Sequence, residues 1–133
     1  MTSKYTPEEQ AEHRRVWVEA LKSGEYVQGR NALCQKNGDS SEYCCLGVAC
    51  EISGLGEFVP KSKSTPNAFT FVTGRKTAHH LVLPKVVRDW LGLRICDGSY
   101  HGNGISMVTL NDRGMSFRDL ADIIESEPEG LVA

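Results

Sequence analysis

Apolar positions along the chain fall into one long periodic run and several short ones. Over residues 6–22, Ala11, Trp17, Val18, Ala20 and Leu21 return near the 3.6-residue period, which predicts an amphipathic helix. Thr6 is placed to cap it, Pro7 suits its first position, and Glu9 completes a capping box. Ser23-Gly24 stops it. Residues 45–53 are apolar on nearly all sides through Leu46, Val48, Ala49 and Ile52, which predicts a short buried helix ended by Gly54. A third helix is expected from Pro84 to Leu91, with Val86, Val87, Trp90 and Leu91 inward and Gly92 closing it. Ser106 caps a short helix through Leu110. Ser116, with Asp119 three residues on, caps a last one that buries Phe117, Leu120, Ile123 and Ile124.

Strand chemistry is sparser. Residues 26–28 read as a short strand, with Gly29 as a bulge or a close backbone approach. Residues 32–35 and 42–44 are expected to pair across the turn-rich tract 36–39. Residues 69–72 and 77–83 make a second hairpin about the turn 73–76. Residues 55–68 and 97–104, rich in Gly, Ser and other turn residues, read as loops. The expected fold class is α+β: about four helices around a small, mainly antiparallel sheet, in one domain over residues 1–133.

Composition narrows the partners. Fifteen Lys and Arg against seventeen Asp and Glu leave a net charge of -2, so a strongly basic nucleic-acid domain is excluded. No apolar run approaches the roughly 18 residues of a membrane span, and the first ten residues hold no signal core. No membrane partner and a cytoplasmic location are expected. Five cysteines, an odd number with an adjacent pair, suggest free thiols in a reducing compartment, packed as small hydrophobes. Their spacings fit no zinc motif, and no dinucleotide or phosphate-loop pattern occurs, so no cofactor or metal is expected.

Candidate chemistry lies in two tracts. Tyr26, Gln28 and Arg30 put an aromatic face, an amide and a guanidinium within five residues, suited to stacking a base, reading its edge and holding a phosphate. The alternative is a strand that bends at Gly29, with Arg30 in solvent. Asn111, Asp112 and Arg113 sit together at a helix–turn–helix junction, where an anion could meet the amides of the last helix. There the alternative is plain capping. Cys44 and Cys45, with His79 or His101 as base, form a weaker nucleophile candidate, because burial raises a thiol pKa. The carboxylates Glu8, Glu9, Asp119, Asp122, Glu125 and Glu127 read as solvated helix faces. Arg75, Lys76, His79 and His80 read as a charged hairpin edge.

The series Leu21-Lys22-Ser23-Gly24-Glu25-Tyr26, Gln28-Gly29, Tyr43-Cys44-Cys45-Leu46-Gly47, Leu83-Pro84, Leu110-Asn111-Asp112 and Ser116-Phe117 resembles a widespread group of small bacteriophage and actinobacterial proteins. The similarity spans residues 16 to 125. The aromatic–x–Gln–Gly step and the late Asn also resemble the Thoeris anti-defence sponge proteins of phages. That resemblance implies a homo-oligomer in the host cytoplasm that binds a nucleotide-derived signal of cyclic ADP-ribose type without cleaving it. Tyr26 would stack on the base, Arg30 would meet phosphate and Asn111 would touch the ligand. Phe69, Phe71, Arg75 and Arg113 are candidates for the remaining aromatic and arginine. Two other readings stay open. A protein-interaction module that blocks a host protein would expose an apolar patch. A nucleotide-signal hydrolase would need two titratable groups or a metal in the pocket.

Overall fold

Helix α1 (Pro7–Lys22) begins as its chemistry requires. Thr6 Oγ1 accepts from the Glu9 amide at 3.1 Å, and Glu9 Oε1 accepts from the Thr6 amide at 2.8 Å. The computed structural model describes residues 3–74, 77–79, 81–101 and 105–133, with backbone alone at 66, 77 and 78. The buried stripe of α1 is Arg14, Trp17, Val18 and Leu21, a true 3.6-residue face. Ala11, expected inside, shares a face with Val18 but is exposed, because it lies on the wall of an open cleft along α1. Arg14 is tolerated there because its guanidinium donates to Leu91 O at 2.7 Å and to Glu127 Oε1 at 3.0 Å.

Helix α2 (Cys45–Ser53) is the centre of the molecule. Residues 45 to 50 are all buried, as its unbroken apolar run predicts. Trp17 Nε1 donates to Cys45 O at 2.9 Å and ties α1 to its first turn. Cys44 is the N-cap, its Sγ accepting from the Gly47 amide at 3.3 Å, and Gly54 closes the helix at φ 68°.

The sheet is mixed but mainly antiparallel. Strands β1 (Val27–Gln28), β2 (Cys34–Asn37), β3 (Ser40–Tyr43), β4 (Glu57–Ser62) and β5 (Thr65–Thr73) lie in the order β1-β3-β2-β5-β4. β6 (Thr77–His79) also pairs with β5. Among the described strands only β1 and β3 run parallel. A Cβ on Gly29 would stand 2.8 Å from Glu42 Cβ, so this glycine marks a close approach rather than a bulge. The first hairpin turns on Gly38-Asp39 alone, so β2 and β3 begin and end nearer the turn than expected.

Residues 55–68 are not a loop. They hold β4 and the start of β5, nine residues long where four were expected. Most of β4 is exposed, and Pro60 sits within it. A strand at the sheet edge tolerates both, so its local pattern does not resemble a core strand. The returning strand expected over 77–83 ends at His79, before the bends at 81 and 82. Arg75 and Lys76 of the expected turn, and His80, lie outside the described residues.

Helix α3 (Lys85–Leu91) has Pro84 as N-cap and Gly92 at φ 75° as C-cap. Three successive carbonyls at its end are taken by side chains of α1: Asp89 O by Gln10 at 2.7 Å, Trp90 O by His13 at 2.6 Å and Leu91 O by Arg14. A carbonyl only accepts, so His13 donates from Nδ1. Val86, expected inside, is 45% exposed, because the helix buries Val87 and Leu91 one step round. The tract 97–104 is not all loop: β7 (Ser99–Tyr100) pairs with β8 (Ile105–Ser106), and 102–104 lie outside the described residues. Helix α4 (Met107–Asp112) is capped by Ser106 and α5 (Phe117–Ser126) by Ser116. Five helices are therefore present among the described residues, around one core that also takes in Phe71 and Leu131. The α+β class stands.

Candidate functional site

Gln28 and Asn111 come from opposite ends of the chain and meet. Asn111 Oδ1 accepts from Gln28 Nε2 at 2.9 Å and from the Cys45 amide at 3.2 Å. Its Nδ2 donates to Gly29 O at 2.8 Å and to Asp112 Oδ1 at 3.3 Å. Gln28 Nε2 also donates to Met115 O at 2.7 Å, and its Oε1 accepts from the Phe117 amide at 3.2 Å. Asp112 Oδ1 accepts from the Asn31 amide at 2.8 Å, holding Asn31 at φ 68°. Backbone partners fix both amide orientations, since an N–H only donates and a C=O only accepts.

This knot joins β1, the starts of α2 and α5, and the end of α4. Asn111 is fully buried and all four of its hydrogen-bonding positions are filled by protein. Of the residues singled out in the sequence, Gln28, Asn111 and Asp112 are therefore brought together, with their polar groups turned on one another. Tyr26 stands apart from those bonds. Its half-buried ring meets Tyr43 edge-on at 5.4 Å, in a row that continues through Phe58 to Phe71. Burial, then Glu51 and Glu25, hold its hydroxyl above the ordinary value, so it stays a neutral phenol. Arg30 and Arg113 are both exposed. Arg30 Nη2 lies 3.0 Å from where a Gly114 Cβ would be, and neither arginine pairs with a carboxylate among the described residues.

Four of the five thiols are held in the neutral form by their surroundings. Cys34, Cys44, Cys45 and Cys50 are buried and free. Burial pushes Cys34 up to about 12 and Cys44 up to about 11, and drives Cys45 and Cys50 well above the ordinary range. Among the described residues no three His, Cys, Asp or Glu side chains gather as metal ligands. Each raised folded value exceeds the value near 9.0 of the unfolded thiol. Their contribution is thus complete below that pH and is lost as pH rises from 9 toward 11. The denaturant midpoint should fall between about pH 8 and about pH 10.5, and fall less in Cys50→Ala. An equal fall in both chains would assign the loss to other groups.

Two clefts lie away from the knot, and none of Tyr26, Gln28, Arg30, Asn111, Asp112 and Arg113 lines either. The smaller, about 400 Å³, follows α1 and α5 and is crossed by Arg14–Glu127 and Lys22–Glu125 ion pairs at 3.0 and 2.6 Å. The larger, about 850 Å³, lies between the segment before α1, the outer side of α3 and the stretch after Gly92. Lys4, Lys85, Arg88 and Arg94 line it against one acidic side chain, Asp89, and the last residue, Ala133, lines it too. None of these four cations has an ion pair among the described residues, although Arg94 Nε donates to Gly130 O at 2.7 Å. Val86 and Leu93 add apolar wall.

Sequence reasoning passed over this cluster. Helical spacing turns Lys85, Arg88 and Asp89 outward on α3, but Lys4 and Arg94 join them only through the chain's path. The large apolar side chains exposed among the described residues, Val27, Leu81 and Val86, belong to three separate segments. No helix of the described chain is long and apolar enough to cross a membrane.

No curated protein and no solved structure matches the chain. One family profile does, over residues 10–128, which takes in the knot and all of α3: the chain belongs to the family described as Domain of unknown function (DUF8296).

Proposed function

We propose that the protein binds and sequesters a nucleotide-derived anion without cleaving it, and that the ligand sits in the α3 cleft. The observation that carries this reading is the cleft's side-chain charge: four cationic side chains, unpaired among the described residues, against one acidic side chain on a chain of net charge -2. A local excess of cations on a slightly acidic protein attracts anions, and a cleft of 850 Å³ is of the size that takes a nucleotide-sized molecule. Charge-assisted hydrogen bonds from Arg88 and Arg94 would hold phosphate oxygens, and the exposed Val86 would cover an apolar ring.

The sequence resemblance extends the proposal to a phage anti-defence sponge for a cyclic ADP-ribose-type signal, acting as a homo-oligomer in the host cytoplasm. In this reading the Gln28–Asn111 knot is scaffold, and the mechanism is affinity alone. Binding of the native state only raises apparent stability, so thermal melting with cyclic ADP-ribose isomers and cyclic di- and trinucleotides tests it. A rise in melting temperature, with the same molecule recovered intact by mass spectrometry after heating, is the expected result. Lys85→Gln with Arg88→Gln should weaken binding by about tenfold or more while the unliganded melting point barely moves. Recovery of a cleaved product would make the protein a hydrolase. No stabilisation by any of these probes would end the nucleotide reading.

A further inference from the structure

We infer that Asp89 sets the cleft's choice of ligand: it selects an anion that also carries hydrogen-bond donors, such as nucleoside hydroxyls, over a bare inorganic anion. This rests on the cleft reading above and goes a step beyond it.

A carboxylate is out of place beside Lys4, Lys85, Arg88 and Arg94 if the site takes any anion, because it opposes every phosphate that enters. The fold gives it little reason to be there. Asp89 lies in the last turn of α3, where the helix dipole disfavours negative charge. It forms no ion pair among the described residues. Among the described residues its side chain makes one long hydrogen bond, 3.4 Å from the Lys4 amide to Oδ2. The carbonyls around it are met by donors of Gln10, His13 and Arg14, and a carboxylate, which only accepts, cannot serve them.

What Asp89 retains is acceptor capacity on a half-buried wall of the cleft. An ionised carboxylate accepts at up to about four positions and donates at none. A ligand that places a hydroxyl or amine there fills that capacity. A bare phosphate or pyrophosphate, itself rich in acceptors, meets like charge instead. A repulsive element of this kind is a common source of specificity.

Asp89→Asn separates the roles. It keeps an oxygen to accept from the Lys4 amide, so a role confined to holding that segment is preserved. The probes are pyrophosphate and ADP, which share two linked phosphates and differ by the nucleoside. Calorimetry at one fixed ionic strength is the measurement. The wild-type protein should prefer ADP, and Asp89→Asn should tighten pyrophosphate by about tenfold with little gain for ADP, shrinking the preference by the same factor. If both probes tighten equally in Asp89→Asn, Asp89 is only a charge within the site and the selectivity claim falls while the cleft reading stands. If neither probe binds either chain, both fall.

Discussion

Gly47→Ala is expected to abolish folding. A Cβ at this position would stand 1.8 Å from Leu33 O, 2.7 Å from Leu33 C and 3.2 Å from Leu33 Cα. All three neighbours are main chain, so no rotamer change makes room. Leu33 is itself fully buried and its carbonyl accepts from the Cys44 amide at 3.2 Å. The glycine is required for space and not for a left-handed backbone. Relief would need α2 to shift as a body. That would break Trp17 Nε1 to Cys45 O and Cys45 N to Asn111 Oδ1 together. Ordinary overpacking costs about 1–3 kcal/mol. A methyl against fixed backbone belongs with the exceptional losses of more than about 4–5 kcal/mol, a large part of a domain's whole stability. Gly54→Ala is the contrast. There φ is 68° but nothing lies within 4 Å, so the cost is only the left-handed strain of about 1–2 kcal/mol. Soluble yield, far-ultraviolet dichroism and urea midpoints check the pair. A Gly47→Ala protein that melts within a few degrees of the parent would mean α2 slides freely, against this account of its packing.

That contact also shows which parts of the fold the chain announces locally. Thr6 with Glu9, Ser106, Ser116, Gly54 and Gly92 mark helix ends with side chains or conformations that act within a few residues, and each marks an observed end. The 45–53 run declares its burial through composition alone. Where stabilisation comes from distant partners, the sequence is silent. β4 is held by β5, so its Pro60, Lys61 and Ser62 read locally as loop. Arg14 occupies an apolar stripe because Leu91 O and Glu127 await it more than 75 residues away in sequence. Val86 is the converse, an apolar residue left on a cleft wall.

The candidate site divides along the same line. Gln28, Asn111 and Asp112 are legible as polar groups at backbone turns, and they do converge. Whether an amide faces a ligand or another amide is decided by tertiary path, because the same atoms serve both purposes. The cationic cleft was invisible for the same reason, since Lys4 and Arg94 belong to it only once α1 and α3 have docked. Docking depends on the carbonyls of Asp89, Trp90 and Leu91 being met from α1. The scaffold and the proposed binding surface are thus made by different residues, and mutations should separate stability from affinity.

Asn111→Ala is the sharpest case of that separation. It removes an amide that is fully buried and bonded four times, to Gln28, Cys45, Gly29 and Asp112. The Cys45 amide at the start of α2 and the Gly29 carbonyl on β1 lose their partners in the interior. Each such orphan costs about 1–3 kcal/mol, and a water in the vacated space would recover part of it. A net loss of about 3–5 kcal/mol follows, a fall in melting temperature of roughly 10–20 °C for a domain of this length. Asn111→Asp offers no rescue, since it keeps the acceptor, loses the donor to Gly29 O and buries a charge beside Asp112. Gln28→Ala should be strongly non-additive with Asn111→Ala, because the two share one bond and one junction. Ligand affinity per folded molecule, measured below the lowered transition, should match the parent. The opposite pattern, an unmoved melting point with affinity lost, would return Asn111 to the binding site and leave the α3 cleft without its claim.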